Sequence, residues 1–324
     1  VLSRIADSFY WMSRYLERAD NTARLMEINL LHLLEAEDQL SEEAQWRPLL
    51  AINGSEGSFS ETYDGAPITA GRVIQFLTQQ RSNPNAIRSS LRLARENARV
   101  VRDRISKEMW EAMNQLWLQV DRQLDGPLLP GRAAAFYSEV RNGVARFHGV
   151  TVSTMMRGQP FGFYMLGTFL ERADMTARIL DVKYHLLLPD LALIGSPLDF
   201  YQWAALLKSL SGFETYRRRY RAGLRPIDVA AFVLFEADFP RSLRFSLERM
   251  QQALAGIQEA APDPQCVARL QRLVTLLDDS SAEQVFKTGL HEFLEGFLDA
   301  IDELNAALAT RYFEAFLGGE PCAT

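Results

Sequence analysis

One short motif, present twice, holds the side chains best suited to chemistry. YLERADNTARL spans Tyr15 to Leu25, and FLERADMTARI spans Phe169 to Ile179, 154 positions later. Glu17 and Glu171 are candidate general bases, since a carboxylate in reach of a substrate proton can accept it. Arg18 and Arg172 carry guanidinium forks that match carboxylate or phosphate groups. Asp20 with Arg24, and Asp174 with Arg178, are acid-first pairs four residues apart, which stabilise a helix by roughly a few tenths of a kcal/mol. Two outcomes follow. If both motifs face one polar cleft, a ligand meets paired carboxylates and guanidiniums. If they are sealed in the interior, they form an ion-pair network that pins the two halves of the chain together.

A second group is purely basic. Arg88, Arg92, Arg95, Arg99 and Arg102 fall at steps of 4, 3, 4 and 3, which puts all five within about 80° of one another on a helix. Asn97 lies among them. Neighbouring guanidiniums repel unless an anion neutralises them. The stripe is therefore a candidate site for an acidic peptide, a phosphate or an acidic partner surface. The alternative is a solvated face softened by Glu96 and Asp103. A shorter run, Arg217-Arg218-Arg219-Tyr220-Arg221, suits the negative end of a helix dipole.

Other chemistries lack their residues. None of His32, His148, His185 and His291 ends a Glu-x-x-His, the spacing that ferritin-like di-iron bundles use. The nearest approach is Asp181 with His185, and an all-carboxylate Mg²⁺ site has nothing to support it. No metal and no cofactor are expected. Cys266, after Pro262-Asp263-Pro264, and Cys322, in the tail, do not look like placed nucleophiles. Walker, G-x-S-x-G, H-E-x-x-H and Rossmann signatures are absent. Trp46, Trp203, Trp110 and Trp117 read as core or groove fillers.

The elements that must position these groups are helices. Met12, Tyr15, Ala19, Ala23, Met26, Leu30 and Leu33 recur at three- and four-residue steps, stacking on one face. The opposite sector, with Tyr10, Glu17, Asn21, Arg24 and Ile28, mixes charge with apolar residues. The second copy sets Tyr164, Glu171, Met175, Arg178 and Val182 against Leu166, Phe169, Ala173, Ala177, Leu180 and Tyr184. A surface helix would be more uniformly polar there, so both motif helices are predicted to lie between layers. Asn83-Pro84-Asn85 signals a helix start, and Gly126-Pro127, Leu129-Pro130-Gly131 and Gly158-Gln159-Pro160 read as breakers. Strand alternation is missing, and the fold class is all-α.

The repeat extends beyond the motif. Gln45-Trp46-x-x-Leu49-Leu50 returns as Gln202-Trp203-x-x-Leu206-Leu207, and Glu61-Thr62-Tyr63 as Glu214-Thr215-Tyr216. Pro84, Arg88 and Leu91 return as Pro240, Arg244 and Leu247. A tandem duplication of about 155 residues is predicted, with repeats 1–157 and 158–324. Such halves are expected to pack about a pseudo-two-fold axis as one compact helical bundle, a single domain. The basic stripe belongs to the first half alone, because the second reads Arg244, Glu248, Gln251, Ala255 and Gln258 at those positions.

Composition bounds the class. The 324 residues are 48% hydrophobic, with 35 Lys+Arg against 41 Asp+Glu, a net charge of −6 and two cysteines. The apolar fraction and a mean hydropathy of −0.12 exclude a disordered chain. Two cysteines exclude a disulfide scaffold or a Cys-rich zinc module and suit a reducing compartment. The longest apolar run, LLLPDLALIG from Leu186, is broken by Pro189 and Asp190, short of the ~20 residues a bilayer needs. The opening VLSRIADSFYW has no basic and apolar signal-peptide regions. A cytoplasmic protein without membrane attachment is expected. A pI near 5.4 and the lack of any nucleic-acid module argue against nucleic-acid binding.

The opening LSRIADSFYWMSRYLERADNTARL, the segment NPNAIRSSLRLARENARVVRDRISKEMWEAMN and the second FLERADMTAR carry a resemblance to the alpha-E family. These are bacterial all-helical proteins named for a Glu-Arg motif, and the resemblance covers essentially the whole chain. Family members tend to be encoded beside ATP-grasp amide-forming ligases and transglutaminase-like proteins. The resemblance thus implies a role in a peptide- or amide-forming system, with those two proteins as partners. The leading expectation is an accessory or binding protein that holds an anionic peptide-like ligand, or docks the ligase, in a cleft of the Glu-Arg helices and the stripe. Two alternatives stand beside it. One is an enzyme of amide formation or transfer using Glu17 or Glu171 as acid-base, and the other is a purely structural interaction protein.

Overall fold

The structure, a computed structural model, describes residues 3–33, 41–186, 197–257 and 263–313. Residues 187–195 of the apolar run, Cys322 and the side chains of Tyr184 and His185 lie outside the described residues. The described chain is helical, without strands. Its helices are α1 Ser3–Leu33, α2 Glu42–Ile52, α3 Glu56–Thr62, α4 Ala70–Thr78, α5 Ile87–Val100, α6 Lys107–Gln123, α7 Pro130–Thr154 and α8 Gln159–Leu186. Then come α9 Pro197–Ser209, α10 Phe213–Arg219, α11 Pro226–Phe235, α12 Leu243–Ile257, α13 Pro264–Asp278, α14 Ala282–Thr288 and α15 Leu290–Leu308, followed by a π-helical turn Ala309–Phe313.

Prolines start several of these helices. Pro130, Pro226 and Pro264 stand in first turns, where the missing N–H costs nothing and the fixed φ is already helical. Pro130 opens α7 at the end of the break that Gly126-Pro127 and Leu129-Pro130-Gly131 mark between α6 and α7. The Asn83 signal is displaced. The Asn83 side chain accepts from the Asn85 amide at 2.9 Å and donates to the Phe76 carbonyl at 3.1 Å, so it builds a turn, and α5 begins only at Ile87. Ser106 and Asp263 act as true N-caps of α6 and α13, each accepting backbone N–H bonds that the first turn cannot satisfy itself.

The two motif helices lie at the centre. α1 packs on α8, α5 and α7, and α8 packs on α1, α12 and α15. α6 joins α5 to α7, while α13 joins α12 to α15. α2 reaches across to α8, and α9 reaches back to α1. Covered on several sides, α1 buries Met12, Ala19, Ala23 and Met26 on its apolar face and Tyr10, Glu17, Asn21 and Arg24 on the mixed one. The central helices approach closely where Gly167 faces Ser13 and the Tyr10 carbonyl. A Cβ at Gly167 would collide with both. That approach brings the Glu-Arg segments of α1 and α8 level with each other.

Candidate functional site

The two motifs meet, and each neutralises the other. Arg172 of α8 donates from Nε and Nη2 to the two oxygens of Glu17 on α1, at 2.8 and 3.0 Å. Reciprocally, Arg18 of α1 donates to both oxygens of Glu171 on α8, at 2.6 and 3.1 Å. These are bidentate fork pairs, the strongest common geometry for an Arg–carboxylate contact. Glu17 and Glu171 are 6% and 1% exposed, so both pairs sit in the interior. The predicted pairs within each helix also form, Arg24 on Asp20 at 2.9 Å and Arg178 on Asp174 at 3.0 Å.

Each carboxylate has a further cation. Arg14 Nε donates to Glu171 at 2.7 Å, and its Nη1 donates to Asn305 of α15 at 2.8 Å. Tyr10 donates its hydroxyl to the same Asn305 oxygen at 2.7 Å. Arg241, in the turn before α12, reaches Glu17 at 3.3 Å, Asn21 at 2.7 Å and Asp20 at 2.7 Å. Arg14 and Arg241 escaped the sequence reading. Arg14 stood one helical turn before Arg18, a spacing that could have revealed it. Arg241 was signalled only by a mismatch between the copies, since the first half has Asn85 there, bonded to Arg18 at 2.9 Å.

Charge balance governs the titration of these groups. Burial pushes Glu171 upward, but Arg18 and Arg14 outweigh it and hold the carboxyl well below its ordinary value, at about 2. Glu17 is likewise lowered, burial being overcome by Arg172 and Arg241. Arg241 is pulled down to about 10, by burial first and by the neighbouring Arg24 and Arg172 guanidiniums. Asp174 goes the other way: burial raises it, and Arg178 offsets only part of that. A general base works best with a pKa near the working pH. Glu17 and Glu171 are carboxylates held below their ordinary values, and their oxygens are already occupied by guanidinium donors, an arrangement suited to holding helices together.

The basic stripe divides in the structure. Arg88 turns inward to Asp121 of α6 at 2.6 Å and to the Leu124 carbonyl at 3.0 Å. Arg95 binds Asn114 at 2.7 Å and lies 5.7 Å from the centre of the Trp110 ring. Asn97 is tied to its own helix through the Leu93 carbonyl. Arg99 is exposed and pairs with Glu96 at 2.9 Å. Arg102 lies beyond the end of α5, because the helix stops at Val100 and Val101 caps it. The single five-residue helical stripe is corrected to four helical positions and one in the following turn. Arg102 still rejoins the group by stacking 5.6 Å over the same Trp110 ring. Arg92 and Arg102 are exposed, and neither has a carboxylate within salt-bridge distance among the described residues.

The remaining candidates resolve simply. Arg217, Arg218 and Arg219 occupy the last turn of α10, the dipole position foreseen for them. Asp181 pairs with His291 of α15 at 2.7 Å. Cys266 is buried in the first turn of α13, and burial raises its thiol to about 11. Trp46 and Trp203 are buried in the core, while Trp110 and Trp117 are half-buried. Among the described residues no three His, Cys, Asp or Glu side chains gather where a metal could be held. No helix among them is long and apolar enough to cross a membrane.

A helical protein whose two central helices exchange Glu-Arg ion pairs is the class this geometry defines. Residues 1–313 match the Alpha-E family, described as a predicted alpha-helical domain with a conserved ER motif, and the chain belongs to that family. It is also similar to an uncharacterised protein of Mycobacterium bovis, 24% identical over 299 residues, covering 87% of this chain and 33% of the relative. An uncharacterised protein of Mycobacterium tuberculosis H37Rv is 23% identical over the same length and share. The chain thus spans about a third of the curated relatives it matches. No solved structure matches it significantly.

Proposed function

We propose that this protein is a non-catalytic accessory module of a peptide- or amide-forming system, which docks an acidic peptide or an acidic face of its ligase partner. The docking face is the outer edge of α5 and the turn after it, where Arg92, Arg99 and Arg102 are exposed and Arg102 stacks over Trp110. One observation carries the reading: Arg92 and Arg102 are exposed without a carboxylate partner among the described residues, whereas Glu17 and Glu171 are consumed inside. The Glu-Arg helices then serve as a rigid frame. An ATP-grasp ligase and a transglutaminase-like protein are the partners this reading would connect, and the cytoplasm is where they would meet.

The same reading treats the chain as one domain of two duplicated halves about a pseudo-two-fold. Its support is reciprocity. Glu17 with Arg172 mirrors Glu171 with Arg18, and α2 on α8 mirrors α9 on α1. Charge adds an asymmetry: residues 1–157 carry equal numbers of basic and acidic residues, so the whole net charge of −6 falls on residues 158–324. The neutral half with a basic edge is the half that meets an acidic partner.

The test is binding of fluorescein-labelled hexaglutamate, read by fluorescence anisotropy. The wild type should bind in a salt-sensitive manner, since exposed charges are screened over about 8–10 Å at 0.1–0.15 M salt. Arg92→Glu with Arg102→Glu should abolish binding while the circular dichroism stays native. Binding that survives this double reversal removes the docking role. The acid-base alternative has its own check: if Glu17→Gln and Glu171→Gln variants that remain folded lose turnover in a reconstituted ligase system beyond their loss of stability, the protein is an enzyme.

A further inference from the structure

Away from the motif helices' ion pairs and from the stripe, an apolar pocket of about 420 Å³ opens between the first half of α8 and the last half of α12. Phe161, Met165 and Phe169 stand four residues apart on α8 and line one wall, as side chains at that spacing share a helix face. Across from them α12 offers the polar side chains of Arg249 and Gln252 and two small residues. Ala253 and Gly256 face the space, and a Cβ built at Gly256 would meet nothing within 4 Å. Gly158, in the connection from α7, is equally open. The helices come together at Gly162, where a Cβ would sit 2.6 Å from Ile257 Cγ1 and 3.1 Å from the Ala253 carbonyl. Beside that contact the small residues Gly158, Ala253 and Gly256 leave the gap unfilled.

Two guanidiniums guard this gap. Arg157 stacks 4.1 Å from the centre of the Phe161 ring and donates to the Val152 and Met155 carbonyls at the end of α7. Arg249 lies 4.6 Å over the Phe245 ring and donates to Gln252 at 2.7 Å. Neither pairs with a carboxylate among the described residues, so each keeps N–H donors and an uncompensated charge beside apolar walls. Pockets of this size, mostly apolar with a few polar groups that fix orientation, are the common form of a small-molecule site. A guanidinium selects a carboxylate by charge and by its paired donors.

We propose that this pocket binds a small carboxylate bearing an aromatic or branched apolar tail. The tail lies on Phe161, Met165 and Phe169, and the carboxylate meets Arg249 and Arg157. This site shares no residue with the docking edge of α5, so either can fail without the other.

The probe is 4-phenylbutyrate, titrated into the full chain by calorimetry, with its uncharged analogue 4-phenylbutanamide in parallel. Saturable binding is expected for the acid, and binding about tenfold weaker for the amide. Arg249→Gln should weaken the acid to a similar degree. Gly256→Leu and Gly158→Leu each place a side chain into open space and should abolish binding. Gly256→Leu also replaces a helical glycine by a better helix former, and Gly158→Leu lies outside any helix, so at least one should keep a native circular dichroism spectrum. Loss of binding in a natively folded glycine variant supports the site. The proposal is overturned by the absence of saturable binding, by retention in both glycine variants, or by an amide that binds as tightly as the acid.

Discussion

At the scale of single residues, Glu171 is the most exacting position. Its two oxygens receive three N–H donors from Arg14 and Arg18, and removing one member of a buried ion pair leaves the other charge uncompensated. Such losses cost about 3–5 kcal/mol. Glu171→Gln should therefore lower the free energy of unfolding by about 3 kcal/mol, read as a lower urea midpoint with an unchanged slope. A change under about 1 kcal/mol would show that the pair is solvated and weak. The acid limb of stability follows from the same groups. Glu171, Glu17 and Asp20 all titrate below their ordinary values of 4.5, 4.5 and 3.8 when folded. Their stabilisation is complete above those values and is lost as pH falls through each lowered folded value, about 2 for Glu171. Asp174 has the opposite sign, because its folded value is raised and its protonation at low pH relieves a buried charge. Asp263 is also lowered and Asp7 raised, so with four lowered carboxyls against two raised the urea midpoint should fall steadily below about pH 5, and a Glu171→Gln variant should show a shallower fall.

At the scale of elements, the stripe on α5 separates into structural and free positions according to the neighbour each residue meets. Arg88 is held by Asp121 and the Leu124 carbonyl at the far end of α6, so Arg88→Ala should cost about 1.5–3 kcal/mol, the range for hydrogen bonds to charged groups. Arg92, on the solvent side of the same helix, should change stability by less than about 0.5 kcal/mol when made Ala. A thermal shift comparison of the two variants checks the division. Equal losses would mean that the sequence spacing, and not the packing of α6, sets their roles. The spacing alone placed five arginines on one helix. It could not place the end of that helix at Val100, nor the rotation that turns Arg88 and Arg95 toward α6 and leaves Arg92 outside.

At the scale of the molecule, residues 1–157 cannot complete their own interior. Glu17 needs Arg172 and Arg241 from the second half, and α2 packs on α8. Expressed alone, residues 1–157 should therefore lack a cooperative thermal transition, or should self-associate to replace the missing partner helices. A monomer with a sharp transition would show that the halves fold independently. The joint burial of α1 and α8 also accounts for the narrow gap at Gly167, since a wider approach would take the guanidinium forks out of reach of the carboxylates.

Much of this was legible before any folding. Helix period, the absence of strand alternation, the repeated motif and the acid-first pairs Asp20–Arg24 and Asp174–Arg178 depend on residues close in sequence, and local geometry decides them. The partners across the core do not. That Glu17 meets Arg172, that Arg14 adds a second guanidinium to Glu171, and that Arg241 bridges Asp20 and Glu17 depend on how α1, α8 and α12 cross. The same residues could have lined an open cleft. Only the close approach at Ser13 and Gly167 brings the two motifs within hydrogen-bond distance and closes them as ion pairs, because guanidinium and carboxylate bind across about 3 Å and are otherwise left to solvent.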